Sequence, residues 1–465
     1  MHDLISVDEC ERLSISEVHD LYRRHVGRSQ VSLMSSFSFG RELVAEAEGV
    51  WIHTRGGRRI LDFTGGVGVL GHGHNHSQIL AARREFQARG GLESHHGHLS
   101  PYVAVLSHNL AQLLPADLSV CRFVNSGAEA VEEAIKLAYR FHRGRRRHIL
   151  HSDISFHGKL LGSGSVTGAA QHAFAFPRIS GVLSYTYDDI ESVRAAIDSC
   201  RKESGECDVY AILVEPFSAS TMRHCSEGFL RELRELCTAE DILLLFDEIY
   251  TGWGKTGSLF AFLRYPGLVP DLLTTSKSFG GGKSSISGYV ARESVCRIAG
   301  DDSAEPGMTE EIATAIEAVR IAVDDDYPGR GRTIERQIAA GLGNLAEKYP
   351  RMITDVAGSG ALFGVFLGGP RILGMASRIA PGGLGRDPNF GTKLMACAVV
   401  DALYRDHGVY SYYTLNGRNP LVVAPSLVVE QAEIDYFMNA LDRTLAKGPV
   451  RLLAEFVKSK AGSLW

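Results

Sequence analysis

Along residues 120–295, short apolar runs alternate with segments whose apolar positions recur every three or four residues. The runs are CRFVN (121–125), HIL (148–150), YAILVEP (210–216), ILLLFDE (242–248), DLLTTS (271–276) and SGYVAR (287–292). They are short and bounded by turn formers, which predicts strands. Most are apolar throughout rather than alternating, so an α/β fold with a largely parallel sheet, covered on both faces, is expected. Residues 228–237 place Phe229, Leu230, Leu233 and Leu236 at helical spacing, as in a crossover helix. From about residue 330 the texture changes to long helical patterns, RTIERQIAAGLGNLAEKY (332–349) and EQAEIDYFMNALDRTLAK (430–447), around a few strands. That predicts a smaller C-terminal domain. The Gly- and Pro-rich stretch 368–391 reads as a loop, with its 380–391 end a candidate gate.

Composition narrows the function classes. A chain of 465 residues with 45% hydrophobic content can bury a large core. Its net charge of −5 gives no reason to expect nucleic acid or an anionic membrane as partner. The basic run Arg143–His148 between a helix and a strand reads as a solvated loop. No apolar stretch is long enough to span a bilayer, and the first residues lack a signal peptide's pattern, so a cytoplasmic protein is expected. The eight cysteines form no CxxC pair, which argues against a disulfide framework or a zinc site and for thiols buried singly.

Four motifs could carry chemistry. In NSGAEAVEEAIKLA (125–138) a strand turns into a helix with Val131, Ala134, Ile135 and Ala138 on one face. Backbone N–H groups at Ser126, Gly127 and Ala128 would face an anion there, although an ordinary helix start has the same look. In DEIYTGWGKTG (247–257), Asp247 and Glu248 end a very apolar strand, where α/β sheets bind ligands. A buried carboxylate needs a partner: a protonated ring nitrogen is one, an arginine in a structural ion pair another. In PDLLTTSKSFGGGKS (270–284), Lys277 follows a strand and could form an imine, with Lys283 its competitor. The same string imitates the end of a P-loop, but Lys277 stands where the first glycine is required. In FHG (156–158), Phe156 could stack on a flat ring or belong to the core. Two decoys complete the survey. Gly66, Gly68 and Gly71 spell GxGxxG without the acidic residue a dinucleotide fold needs, and the histidines of GHGHNH and ESHHGH lack metal-ligand spacing, so no metal is expected.

In their order these motifs resemble the class III aminotransferases, which are fold-type-I enzymes dependent on pyridoxal 5′-phosphate (PLP). AEGVWIHTRGGRRILDFTGGVGVLGHGH (47–74) is similar to that family's N-terminal stretch, and VEP (214–216) falls in the family order. The resemblance implies a large PLP-binding domain over 66–330 with a mostly parallel, seven-stranded type of sheet. It further implies a small α+β domain over 331–465, with an N-terminal segment 1–65 packing on it. Lys277 would carry the cofactor as a Schiff base and shuttle a proton, and Asp247 would bind the pyridinium nitrogen. Ser126, Gly127 and Ala128 would hold the phosphate, Phe156 and Ile249 would cover the two ring faces, and His157 and Glu215 would line the site. In this family the site forms between two subunits, so a homodimer is implied, with Thr309 reaching the neighbour's phosphate.

The chain departs from the family where substrate pockets are shaped. Glu310-Glu311-Ile312-Ala313 stands for the usual Gly-Gly-Asn-Pro, FSASTMRHCSEG (217–228) for a Gln-Gly-Glu-Gly-Gly run, and Ile249-Tyr250 for Val-Gln. The reading is amino-group transfer between an amine or ω-amino acid and a keto acid or aldehyde, with Arg418 a candidate for a substrate carboxylate. Racemisation, aminomutation, decarboxylation or carbon–carbon bond formation on the same scaffold is the alternative. P-loop or dinucleotide binding is a remote one, and a non-enzymatic subunit is disfavoured by the presence of both Lys277 and Asp247.

Overall fold

Seven strands form the central sheet of the computed structural model, which describes residues 4–168, 177–300, 307–369, 389–414 and 419–461. They are β1 Leu118–Val124, β2 His148–Ser152, β3 Val182–Tyr185, β4 Val209–Val214, β5 Leu243–Asp247, β6 Leu272–Thr275 and β7 Ser287–Arg292. Their spatial order is β1-β7-β6-β5-β4-β2-β3. Only β7 runs antiparallel to its neighbours. Every residue of β4 and β5 is buried, as their unbroken apolar runs require. Successive side chains point to opposite faces: Leu244 and Phe246 join one core, Leu243 and Leu245 the other. Helix Gly127–Phe141 covers the second face with Val131, Ala134, Ile135 and Ala138. Helix Glu227–Ala239 covers the first with Phe229, Leu230, Leu233 and Cys237, while Leu236 stays half-buried.

Two expectations need correction. The sequence pattern did not reveal β3, a four-residue edge strand with half-buried Val182 and Leu183, an exposed Ser184 and only Tyr185 fully buried, which lacks the apolar run of its neighbours. Nor is the basic run simply solvated. Arg146 donates to the carbonyls of Val209 and Glu240, and Arg147 pairs with the buried Asp208, so the run ties the start of β2 to the start of β4.

Strands Val44–Glu48, Trp51–Thr54 and Arg59–Asp62 form an antiparallel sheet whose last member pairs in parallel with Val409–Tyr410. A second four-stranded sheet, antiparallel throughout, holds Ile353–Ser359, Leu362–Leu367, Leu421–Val423 and Tyr412–Tyr413. Helices Tyr327–Lys348 and Gln431–Ala446 match the two long patterns. The first starts earlier than the pattern because Pro328 is tolerated in the first turn, which Asp326 caps through the Gly329 N–H. Among the described residues no helix is long and apolar enough to cross a membrane. All eight cysteines are free thiols, five of them buried.

Candidate active site

Three ionisable side chains stand at the C-terminal ends of three neighbouring parallel strands: Glu215 after β4, Asp247 at the end of β5 and Lys277 after β6. All three line one cavity of about 540 Å³. This is where open α/β sheets place ligands, because strand ends and the loops beyond them leave a crevice.

Asp247 is buried, and its charge is met from several sides. The Ile249 N–H donates to Oδ1 at 3.0 Å and the Thr274 hydroxyl to the same oxygen at 3.2 Å. Oδ2 lies 2.7 Å from Nδ1 of the buried His157. The protein partner is thus His157, not the arginine of the structural alternative, and the imidazole's other nitrogen has no hydrogen-bond partner among the described residues. Glu215 is buried too, within reach of the Phe156 and Ala219 N–H groups. Burial, with Asp247 close by, pushes its carboxyl well above the usual carboxylate range.

Lys277 sits in the left-handed region at φ +52°. Burial pulls its amine down to about 8, against the attraction of Asp247 and Glu215. Its Nζ lies 4.0 Å from the centre of the Tyr250 ring, and the Tyr250 hydroxyl is 2.8 Å from that of Tyr412. Lys283 does not line the cavity; it bonds to Asn75 at the chain surface. The P-loop reading fails on structure as well, since the chain after Lys283 enters strand β7 rather than a helix.

Gly127 and Ala128 line the cavity at the start of helix Gly127–Phe141. A side chain at Gly127 would meet Ile249 Cδ1 at 3.0 Å, so glycine permits the close approach of the β5 loop. Ser126 lies just outside the lining as the helix cap. Its hydroxyl accepts from the Glu129 N–H at 3.3 Å while the Glu129 carboxylate accepts from the Ser126 N–H at 2.8 Å. Phe156, His157 and Ile249 all line the cavity, Phe156 being the most exposed of them. Thr309 does not line it: buried at the start of helix Thr309–Asp324, its hydroxyl lies 3.0 Å from His95 Nδ1 of the same chain. Arg418 and residues 370–388 of the Gly/Pro-rich stretch lie outside the described residues.

The GxGxxG string is a turn pressed on the site, not a dinucleotide loop. Gly68 has φ +87°, its carbonyl accepts from Ser278, and a Cβ there would sit 2.9 Å from the Tyr250 ring and 3.4 Å from Lys277 Cδ. Nearby histidines are spent singly, His72 on the Ala318 carbonyl and His74 on Asp62. Among the described residues no group of three potential ligands could hold a metal. The lining residues that sequence reasoning missed include Val67, Lys159, Phe217, Ala219, Thr251, Ser276, Tyr412 and Thr414, which complete the walls. Phe217 follows the VEP motif and Tyr250 stood out as a departure. Tyr412 and Thr414 carried no local signal.

Comparison with known proteins gives this arrangement its relatives. The family model described as aminotransferase class-III matches residues 39–445. The chain belongs to the class-III aminotransferase family. Among curated relatives it is 28% identical over 431 residues to aminotransferase PigE of Serratia sp. (strain ATCC 39006), covering 85% of this chain and 49% of that protein. The chain thus spans about half the length of that relative. Among solved structures it is similar to an (S)-enantioselective omega-transaminase from Thermomicrobium roseum, with a TM-score of 0.78 at 22% identity over 94% of this chain and 99% of that one. It is equally similar to the ornithine aminotransferase of Toxoplasma gondii, with a TM-score of 0.78 at 22% identity over 97% and 100% of the two chains; that structure records partial occupancy of PLP. At these identities the likeness shows the shared fold-type-I architecture of this member of the class-III family. Its departures from the family have structural uses: Glu310 and Glu311 both pair with Arg83, and Phe217–Ser218 and Arg223–His224 form a small hairpin at the cavity wall.

Proposed function

We propose that this class-III aminotransferase moves an amino group between a primary amine or ω-amino acid and a keto acid or aldehyde, with PLP held in the 540 Å³ cavity. The observation that carries the reading is the Lys277 amine and the Asp247 carboxylate facing one cavity from adjacent strand ends. The residues fit the cofactor. A buried carboxylate with one imidazole partner suits a protonated ring nitrogen, and the helix start at Gly127 and Ala128 suits a phosphate. Phe156 and Ile249 offer the two ring faces. When bound, the cofactor supplies an electron sink, and the protein decides which bond at the substrate carbon breaks.

Lys277 is the proton carrier, since an amine held near 8 can both accept and release a proton near neutral pH. Asp247 presents its carboxylate to the cavity from the end of β5. Glu215, its carboxyl pushed up by burial, adds a hydrogen-bonding wall. Val67, Phe156, Phe217, Ile249, Tyr250 and Tyr412 make the walls largely apolar, which favours an amine with a hydrocarbon or aromatic body. A substrate carboxylate, where present, would be assigned to Arg418.

The active form is proposed to be a homodimer in the cytoplasm. Exposed Val67, Leu99 and Met308 support burial by a second copy, and eight unbridged thiols suit a reducing compartment. Thr309 would then serve the partner's phosphate only if His95 released its hydroxyl.

The test is spectroscopic. Protein reconstituted with PLP should absorb in the visible, and borohydride should fix the cofactor covalently on Lys277. A colourless protein, or label on Lys283, overturns the reading. Amine donors should then convert the bound cofactor to its amine form with release of a carbonyl product. Consumption of substrate without that conversion would indicate a non-transaminating reaction instead.

A further inference from the structure

We propose that Tyr250 is a positioning residue for Lys277: its ring face seats the Lys277 ammonium, and Tyr412 fixes the ring's orientation through the hydrogen bond between their hydroxyls. The inference rests on the reading that Lys277 is the working amine of the site.

The geometry is specific. Nζ lies 4.0 Å from the ring centre, well inside the range in which a cation is attracted to the negative face of an aromatic ring. The attraction is strongest where water is excluded, and Lys277 and Tyr250 both lie deep in the chain beside the cavity they line. Three distant stretches of chain build the seat. Gly68 lies so close to the edge of the Tyr250 ring that no side chain fits there, the loop after β5 supplies the ring, and Tyr412 comes from the C-terminal sheet. The hydroxyl of Ser278, next to Lys277, is tied to the Gly68 carbonyl at 2.9 Å, so loop, ring and amine are fixed to one another.

The charged groups around the amine leave the ring a task. Asp247 is engaged by His157 and the Glu215 carboxyl is pushed up by burial, so the ring adds to the attraction these two acids exert on the amine. Lys255, buried beyond the Gly65 turn, repels a second positive charge. The Tyr250 and Tyr412 hydroxyls are both pushed up by burial and stay protonated. Glutamine, the residue of the resembling family at this position, has no ring face to offer. Tyrosine here gives the protonated amine a place to rest on the cavity side between proton transfers.

The test uses full-length protein without cofactor. Acetic anhydride labelling of Lys277 is followed against pH by mass spectrometry in the wild type and in Tyr250→Leu, Tyr250→Met, Tyr250→Phe and Tyr412→Phe. Leu and Met keep an apolar wall and remove the ring face, and two such variants guard against one failing to fold. Their labelling midpoints should fall by about 0.5 to 1.5 pH units, because the ammonium loses its seat. Phe keeps the ring and should stay with the wild type, and Tyr412→Phe should fall part of the way. Unchanged or raised midpoints in Leu and Met overturn the proposal, showing the ring to be a desolvating wall. A Phe midpoint as low as Leu also overturns it, and a wild-type midpoint in Tyr412→Phe removes Tyr412 from it. The labelling needs no PLP, so its failure is distinct from failure of the visible absorbance that tests the function.

Discussion

Replacing Asp247 by Asn changes charge while leaving most contacts in place. The amide oxygen can still accept from the Ile249 N–H and the Thr274 hydroxyl, now at 3.0 and 3.2 Å. The amide NH2 would take the place of Oδ2, 2.7 Å from His157 Nδ1. Two donors cannot face each other there, so His157 must carry its proton on the other nitrogen, which has no hydrogen-bond partner among the described residues to oppose it. The fold should therefore survive. What is lost is a negative charge within contact range of a ring nitrogen, worth about 1–3 pKa units on that nitrogen. At 1.36 kcal/mol per unit this is about 1.4–4 kcal/mol, or roughly 10- to 1000-fold in a rate that depends on the ring staying protonated. Single-turnover reaction of reconstituted Asp247→Asn with an amine donor, followed by the loss of visible absorbance, measures it. A well-folded variant reacting within about threefold of wild type would refute the assignment, because an effect of one pKa unit already costs about tenfold.

Three further outcomes are expected. The buried Lys255 amine is pulled down to about 7, whereas an unfolded lysine titrates near 10.4, so the unfolded chain holds the extra proton between those values and stability rises with pH across that window. In urea melts the advantage of Lys255→Met over wild type should accordingly shrink by up to about 4 kcal/mol from pH 7 to 10; a constant difference would contradict the burial of a charged amine. Ser126→Ala removes the cap of helix Gly127–Phe141 and should lower stability by about 1 kcal/mol in denaturant titration, with weaker PLP binding alongside. Gly68→Ala forces a side chain into the left-handed region against the Tyr250 ring, and should cost about 1–3 kcal/mol by thermal melting and reduce turnover.

The central strands were legible because burial on both faces leaves unbroken apolar runs such as ILLLFDE, which no surface element carries. The edge strand β3 escaped for the opposite reason: with one neighbour and partial exposure it needs no such run. Asp247 and Lys277 stood out because charge directly after a buried strand is costly unless it has a use. Their immediate partners were less visible. His157 meets Asp247 across 90 positions and Tyr412 meets Tyr250 across 162, and contacts of that separation leave no local period to read. Arg146 was misread because three adjacent arginines look alike in sequence, while only the fold decides which one turns inward.

The parallel pairing of Arg59–Asp62 with Val409–Tyr410 sets an order in time. A chain leaving the ribosome has all seven strands of the central sheet, with Asp247 and Lys277 at their ends, once residue 292 has emerged. The strand at residues 59–62, already paired with 51–54, must wait for residue 410 to find its second neighbour, and the cavity waits for Tyr412 to close its wall. Contacts of such long range are slow to form, because the loop between them must first be closed. Truncation after residue 300 would therefore retain the acid and the amine without the Tyr412 and Thr414 wall, and a nascent chain carries Lys277 with that wall missing until those residues have been made.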